Sequence, residues 1–144
     1  MKFICDFMLG RLARWMRLLG YDTEYFREDH PDKLIVKAKA EARVILTRNS
    51  KLMEMPGVVY IKSEIIHEQL RKVMEIFPPE GEPLSRCSLC NTPIQRIEKE
   101  KVKGRVPEYV YKTQDEFYYC PECDKIYWQG THIDLMKEFL KRVG

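Results

Sequence analysis

Lys2-Phe3-Ile4-Cys5-Asp6, the segment 9–20 and the run 23–27 form one strand–helix–strand unit, and its reading decides the fold. Residues 2–6 are a short apolar run closed by a carboxylate, which predicts a buried strand. In the next segment Leu12, Trp15, Met16 and Leu19 recur at i, i+3, i+4 and i+7. That is one face of a helix, and Gly20 is its natural stop. Arg11, Arg14 and Arg17 are expected on roughly the opposite face. Residues 23–27 supply a second strand. Further along, Pro31 opens a second helix with Leu34, Ile35, Ala38 and Ala42 turned inward. Residues 44–47 and 58–61 are apolar and β-branched, as strands require. Ser63 caps a third helix that buries Ile66, Leu70, Val73 and Phe77. The order β-α-β-α-β-short helix-β-α specifies an α/β fold with an open parallel sheet flanked by helices.

The cysteines divide the chain. Four of the five fall into two C-x-x-C pairs, Cys87/Cys90 and Cys120/Cys123, with 29 residues between them. Two intervening residues let a tight turn offer both thiolates to one ion, and two such turns complete a tetrahedral S4 site for structural zinc. A redox dithiol is the competing reading of one pair alone, and two pairs argue against it. The long separation suits a zinc ribbon. Cys5, in an apolar run, reads as a core thiol. Just before the first pair, Phe77-Pro78-Pro79-Glu80-Gly81-Glu82-Pro83 reads as a linker. The expected division is an α/β domain over 1–79 and a zinc ribbon over 80–144. Within the second part, residues 108–119 are expected as ribbon strands and 133–143 as a closing amphipathic helix.

Of 144 residues, 44% are hydrophobic and 33% charged, enough apolar mass for a core. The net charge of +3 is too small to argue for nucleic acid by itself. No uncharged stretch approaches the ~20 residues of a membrane span. Asp6 and Arg11 interrupt any signal-peptide apolar region. The expectation is a soluble, cytoplasmic protein with no membrane partner.

Open parallel sheets bind ligands beyond the carboxyl ends of their strands. Asp6 stands at the first such end, Glu28, Asp29 and Asp32 follow the second, and Thr47-Arg48-Asn49-Ser50 follows the third. Neither a dinucleotide-binding nor a P-loop glycine pattern is present. Carboxylates gathered from separate strand ends suit Mg²⁺ or Mn²⁺, hard ions that take oxygen ligands and bridge to phosphate. Arginines nearby would hold a phosphodiester backbone. Each feature also has a plainer reading. Asp6 can cap the helix after it, the arginines can be a solvated face, and Asp29 and Asp32 flank a helix start where acids favour the dipole. His30 and His67 carry no signal.

The stretches Phe3-Ile4-Cys5-Asp6 and Leu9-Gly10-Arg11-Leu12-Ala13-Arg14-Trp15-Met16-Arg17-Leu18-Leu19-Gly20-Tyr21-Asp22 resemble the opening of the mut-seven C-terminal RNase domain family. Arg43-Val44-Ile45-Leu46-Thr47-Arg48-Asn49 looks like its next signature. Cys87-x-x-Cys90-Asn91 and Cys120-x-x-Cys123-x-x-x-Tyr127-Trp128-x-Gly130-x-His132 look like its zinc-ribbon signature. The resemblance implies a PIN-like nuclease fold with a zinc ribbon, strand 1 placed centrally, and metal-dependent endoribonuclease activity. It implies Asp6 as the first acidic ligand and Asp32, which opens Asp32-Lys33-Leu34-Ile35, as the second. Asn49 departs from the pattern, which usually has aspartate there. An amide offers a carbonyl oxygen but no charge, and affinity for Mg²⁺ follows ligand charge.

Two functional readings follow. In the first, Asp6, Asp32 and Asn49 hold Mg²⁺ or Mn²⁺ for RNA hydrolysis while Arg11, Arg14, Arg17 and Arg48 grip phosphates. In the second, the chain is a catalytically degenerate RNA-binding module. It would bind through the arginine helix and through Lys99, Lys101, Lys103 and Arg105 alternating with Tyr109, Tyr111 and Tyr119. The plainer reading of that last stretch is a charged hairpin. The zinc, held by Cys87, Cys90, Cys120 and Cys123, is expected to be closed, structural and dispensable for the folding of 1–79. His132 is expected to orient the ribbon or to line the cleft.

Overall fold

The computed structural model describes residues 1–80 and 84–129. The expected closing helix over 133–143 and His132 lie outside the described residues. The N-terminal part holds β1 (Lys2–Cys5), α1 (Gly10–Leu18), β2 (Asp22–Tyr25), α2 (Pro31–Glu41), β3 (Val44–Thr47), β4 (Val58–Tyr60) and α3 (Ile66–Ile76). Short 3-10 turns at Phe7–Leu9 and Ser50–Leu52 follow β1 and β3. The four strands are parallel in the order β2-β1-β3-β4, so β1 is interior, as the resemblance implied.

Alternation along the strands explains the layers. Phe3, Cys5 and Leu46 point to one face, where Leu12, Ala13 and Met16 of α1 and Leu70 and Val73 of α3 cover them. Ile4 and Ile45 point to the other, against Leu34 and Ala38 of α2. Both faces of the sheet are therefore buried, as parallel sheets require. Ala42 is not turned inward as expected. It caps α2 in a left-handed conformation, φ 55°, because the helix has already ended at Glu41. Ser63 stands three residues before α3. Its hydroxyl accepts the Ile65 N–H and is hydrogen-bonded to the Glu68 carboxylate.

Beyond residue 84 come β5 (Gln95–Ile97), α4 (Glu108–Thr113), β6 (Phe117–Tyr119) and β7 (Ile126–Trp128), the strands forming an antiparallel sheet ordered β5-β6-β7. The expectation of strands throughout 108–119 is corrected. Pro107 starts a short helix, Glu108 and Lys112 pair along it, and Thr113 bonds back to the Tyr109 carbonyl. The aromatic and β-branched run Tyr109-Val110-Tyr111 favours a strand locally. The packing of Val110 with Val102 and Phe117, and of Tyr111 against the same cluster, is made by the helical arrangement. Among the described residues no helix is long and apolar enough to cross a membrane.

Candidate functional site

The order β2-β1-β3-β4 reverses direction between β1 and β3, and the carboxyl ends of these two strands open into a cleft of about 390 Å³. Asp6, Phe7, Met8, Glu28, Asp29, His30, Thr47, Arg48, Asn49 and Ser50 line it, with Pro31, Leu34 and Leu52.

Asp6 sits at its floor, only 4% exposed. Its backbone N–H donates to the Leu46 carbonyl, which ties the end of β1 to β3. The carboxylate is held from three sides. Oδ1 accepts the Met8 N–H at 3.0 Å, and Oδ2 accepts the Arg48 N–H at 3.0 Å together with the Thr47 hydroxyl. A carboxylate offers about four lone-pair sites, so roughly one, on Oδ1, remains for a ligand. Thr47 in turn accepts the Asn49 N–H at 2.9 Å. Asn49 is in the cleft, but its side-chain oxygen caps the turn after it by accepting the Lys51 N–H.

Asp32 is placed elsewhere. Together with Lys33, Val36 and Lys37 it lines a shallow surface depression on the outer side of α2, not the cleft. The physical reason is the helix start. His30 caps α2 by accepting the Lys33 N–H on Nδ1, and this leaves Glu28 and Asp29 on the cleft side of the cap while Asp32 rotates outward. Glu28 is paired with Lys33 at 3.4 Å. Asp29 carries no ion pair among the described residues and lines the same cleft as Asp6. His30, unmarked in the sequence, borders the same cleft.

The arginines separate as well. Arg11 and Arg14 are exposed, but Arg17 is buried, 6% exposed, and is corrected out of the phosphate-binding group. Steps of three residues precess by about 60° around a helix, so Arg17 swings to the flank beside buried Ala13. Its Nε donates to the Thr23 carbonyl at 2.7 Å and Nη1 to the Ser88 carbonyl at 3.0 Å. Arg48 borders the cleft. Its Nη2 donates to the Lys62 carbonyl and faces Glu64, while its buried Nε has no partner.

The four cysteines of the C-x-x-C pairs converge, all sulfurs within 4.8 Å of one another and Cys90 to Cys120 at 3.5 Å. Zinc–sulfur bonds of about 2.3 Å set tetrahedral sulfurs about 3.8 Å apart, so the donor set fits zinc. The two turns are near copies. Asn91 N–H donates to the Cys87 carbonyl and Asp124 N–H to that of Cys120, both residues at positive φ. Asn and Asp tolerate that conformation better than other non-glycine residues. The thiols also compete for charge. Burial pushes Cys90 up, but hydrogen bonds with Thr92, Cys123 and Cys120 outweigh it and bring Cys90 down to about 6. The hydrogen bond with Cys90 pushes Cys123 up to about 12. A bound cation relieves that competition by stabilising all four thiolates.

The basic–aromatic stretch is occupied internally in part, while Lys101, Lys103 and Tyr109 are exposed. Lys99 pairs with Asp115 and lies over the Tyr111 ring, and Arg105 pairs with Asp124 at 2.9 Å.

The model of the Mut7-C RNAse domain family matches residues 1–140, a span that takes in both the cleft and the four cysteines. No curated protein and no solved structure matches the chain.

Proposed function

The chain belongs to the Mut7-C RNAse domain family, and from that premise we propose that it is a metal-dependent endoribonuclease whose chemistry is centred on Asp6. The observation that carries the reading is a buried carboxylate at the switch point of the sheet, with Asp29 in the same cleft. Asp6 Oδ1, Asp29 and the Asn49 side-chain oxygen are the oxygen donors that would hold Mg²⁺ or Mn²⁺. Such an ion, when bound, lowers the pKa of its water and neutralises charge on the phosphoryl oxygens. Asp6 is fixed for this by its three donors, so its free lone pair keeps one direction. Arg48 lines the cleft and its guanidinium, held by the Lys62 carbonyl and facing Glu64, would add positive charge at the rim. Arg11 and Arg14 would hold flanking phosphates. The zinc set is closed by four sulfurs and leaves no position for a reactive water, so its role is structural.

Cleavage of single-stranded RNA by purified protein with Mn²⁺ tests the reading. Asp6→Asn should abolish cleavage; an unchanged rate assigns the activity to a contaminant. The use of the Asn49 side chain as a turn cap favours a second reading, a binding module without chemistry. RNA binding indifferent to Mn²⁺, with no cleavage by wild type or Asn49→Asp, would establish it.

A further inference from the structure

We propose that Phe7, with Met8 beside it, is a stacking step for a nucleobase at the mouth of the cleft, and that it makes an unpaired nucleotide the required substrate there. This rests on the endoribonuclease reading of the same cleft. Phe7 and Met8 are 36% and 46% exposed, and both line the cleft that holds Asp6. Being the next two residues after Asp6, they stand within about 7 Å of its backbone. Their backbone is also held. The Met8 N–H is bound by the Asp6 carboxylate, the Leu9 N–H by the Asp6 carbonyl, and the Phe7 carbonyl by the Tyr25 hydroxyl at 2.6 Å. Tyr25 reaches that carbonyl because Gly10 has no side chain. A Cβ there would stand 3.1 Å from the Tyr25 ring. The turn thus sends Leu9 into the core, 1% exposed, and leaves two large apolar side chains in solvent, on a fixed backbone, beside a carboxylate.

The charge around this step identifies what it stacks. Arg11 and Arg14, four and seven residues on, are exposed and make no ion pair among the described residues. Arg27 lies over the ring of Tyr25, the residue that fixes Phe7. The step thus has the cleft acids Glu28 and Asp29 on one side and the arginines outside the cleft on the other, an arrangement that suits a base stacked on Phe7 with its phosphates toward the arginines. A base inside a duplex has both faces occupied by its neighbours, so only an unpaired base can lie on Phe7.

Binding of a fluorescent single-stranded RNA and of the same sequence as a duplex, without added divalent ion, tests the proposal. Phe7→Ala should weaken single-strand binding about tenfold or more, Phe7→Trp should restore it, and duplex binding should stay within about twofold. Equal losses for single strand and duplex, or no loss for either, overturn it. So does a change in self-association on sedimentation with RNA binding untouched, which would make the step a protein contact. The two readings fail separately. If wild type does not cleave, the nuclease reading falls while the binding series still decides stacking. If Phe7→Ala cleaves single-stranded RNA with an unchanged KM, stacking falls and the nuclease reading stands.

Discussion

Asp6 binds Met8 through one oxygen and Thr47 and Arg48 through the other, so the carboxylate at the centre of the cleft is also a staple between β1 and β3. Its replacement therefore has two expected effects. In Asp6→Asn the new amide, in either orientation, turns its NH₂ toward an N–H that now has no acceptor. Leaving such a buried donor unmet costs about 1–3 kcal/mol. Asp6→Asn should lower the urea midpoint accordingly as well as abolish cleavage. Thr47→Val keeps the shape but removes both the donor to Asp6 and the acceptor of the Asn49 N–H, and should lower the midpoint by a comparable amount. The second carboxylate offers a cleaner separation. Asp29→Asn should reduce Mn²⁺-dependent cleavage by about tenfold or more, since Mg²⁺-type sites depend on ligand charge, while Asp32→Asn should leave the rate within about twofold. Initial rates over a Mn²⁺ titration check both. The position of Asp6 at the cleft was legible because a carboxylate that ends an apolar run stands at a strand's carboxyl end. Which of Asp29 and Asp32 faces the cleft was not. It depends on the His30 cap, which decides which side of the helix start each acid faces.

At the scale of elements, the first zinc turn covers the free edge of the parallel sheet. β2 is one of the two outer strands, and an outer strand leaves N–H groups without partners. The Thr23 N–H is met by the Asn91 side-chain oxygen at 2.9 Å, and the Asn91 NH₂ group donates to Asp22 at 2.7 Å. Arg17 reaches across to the Ser88 carbonyl, and Arg86 faces Asp22. Asn91 sits at φ 72°, so two substitutions separate its roles. Asn91→Gly keeps the backbone and loses the hydrogen bonds, and should cost about 1–3 kcal/mol. Asn91→Ala should cost about 1 kcal/mol more for the left-handed conformation. Asp22 adds a pH dependence. Burial pushes its carboxyl up, but hydrogen bonds from Arg43 and Asn91 outweigh this and hold it below the usual range. A carboxyl depressed in the folded state stabilises above its unfolded pKa of about 3.9 and loses that contribution as pH falls through the folded value. The stability gap between wild type and Asp22→Asn should be full at pH 7 and shrink below about pH 4, read from urea midpoints across that range. The α/β order and both C-x-x-C turns were legible, because strand and helix periods and ligand spacing are local. The docking of one on the other was not. Arg17 looks like a surface cation until Ser88, far along the chain, supplies its acceptor.

For the whole molecule, the linker composition suggests two independent parts, but the core does not divide there. Cys87, Cys120 and Tyr127 belong to the same buried cluster as Phe3, Met16, Leu46 and Val73. Tyr127 holds this junction from the ribbon side, its hydroxyl 3.0 Å from Cys87 Sγ and accepting the Ser88 N–H. Burial lowers the Arg17 pKa, and Glu24, followed by Cys5, Cys90 and Cys87, opposes that shift. Four thiolates around Zn²⁺ carry a net charge of −2, so a bound ion would strengthen this compensation. Zinc removal should therefore reach past the ribbon. The protein should contain one zinc per chain by elemental analysis, and chelation should lower the Tm by about 10 °C or more. Hydrogen exchange locates the damage. Without zinc, amides of β2 and the last turn of α1 should lose protection along with those of β6 and β7, while β3 should keep most of its own. Arg17→Met, which removes the buried cation but keeps an apolar stem, should reproduce the change at β2 in the zinc-loaded protein. Loss of protection confined to 87–128, with Thr23 and α1 unchanged, would mean that the two parts fold independently and that the shared cluster is contact without coupling.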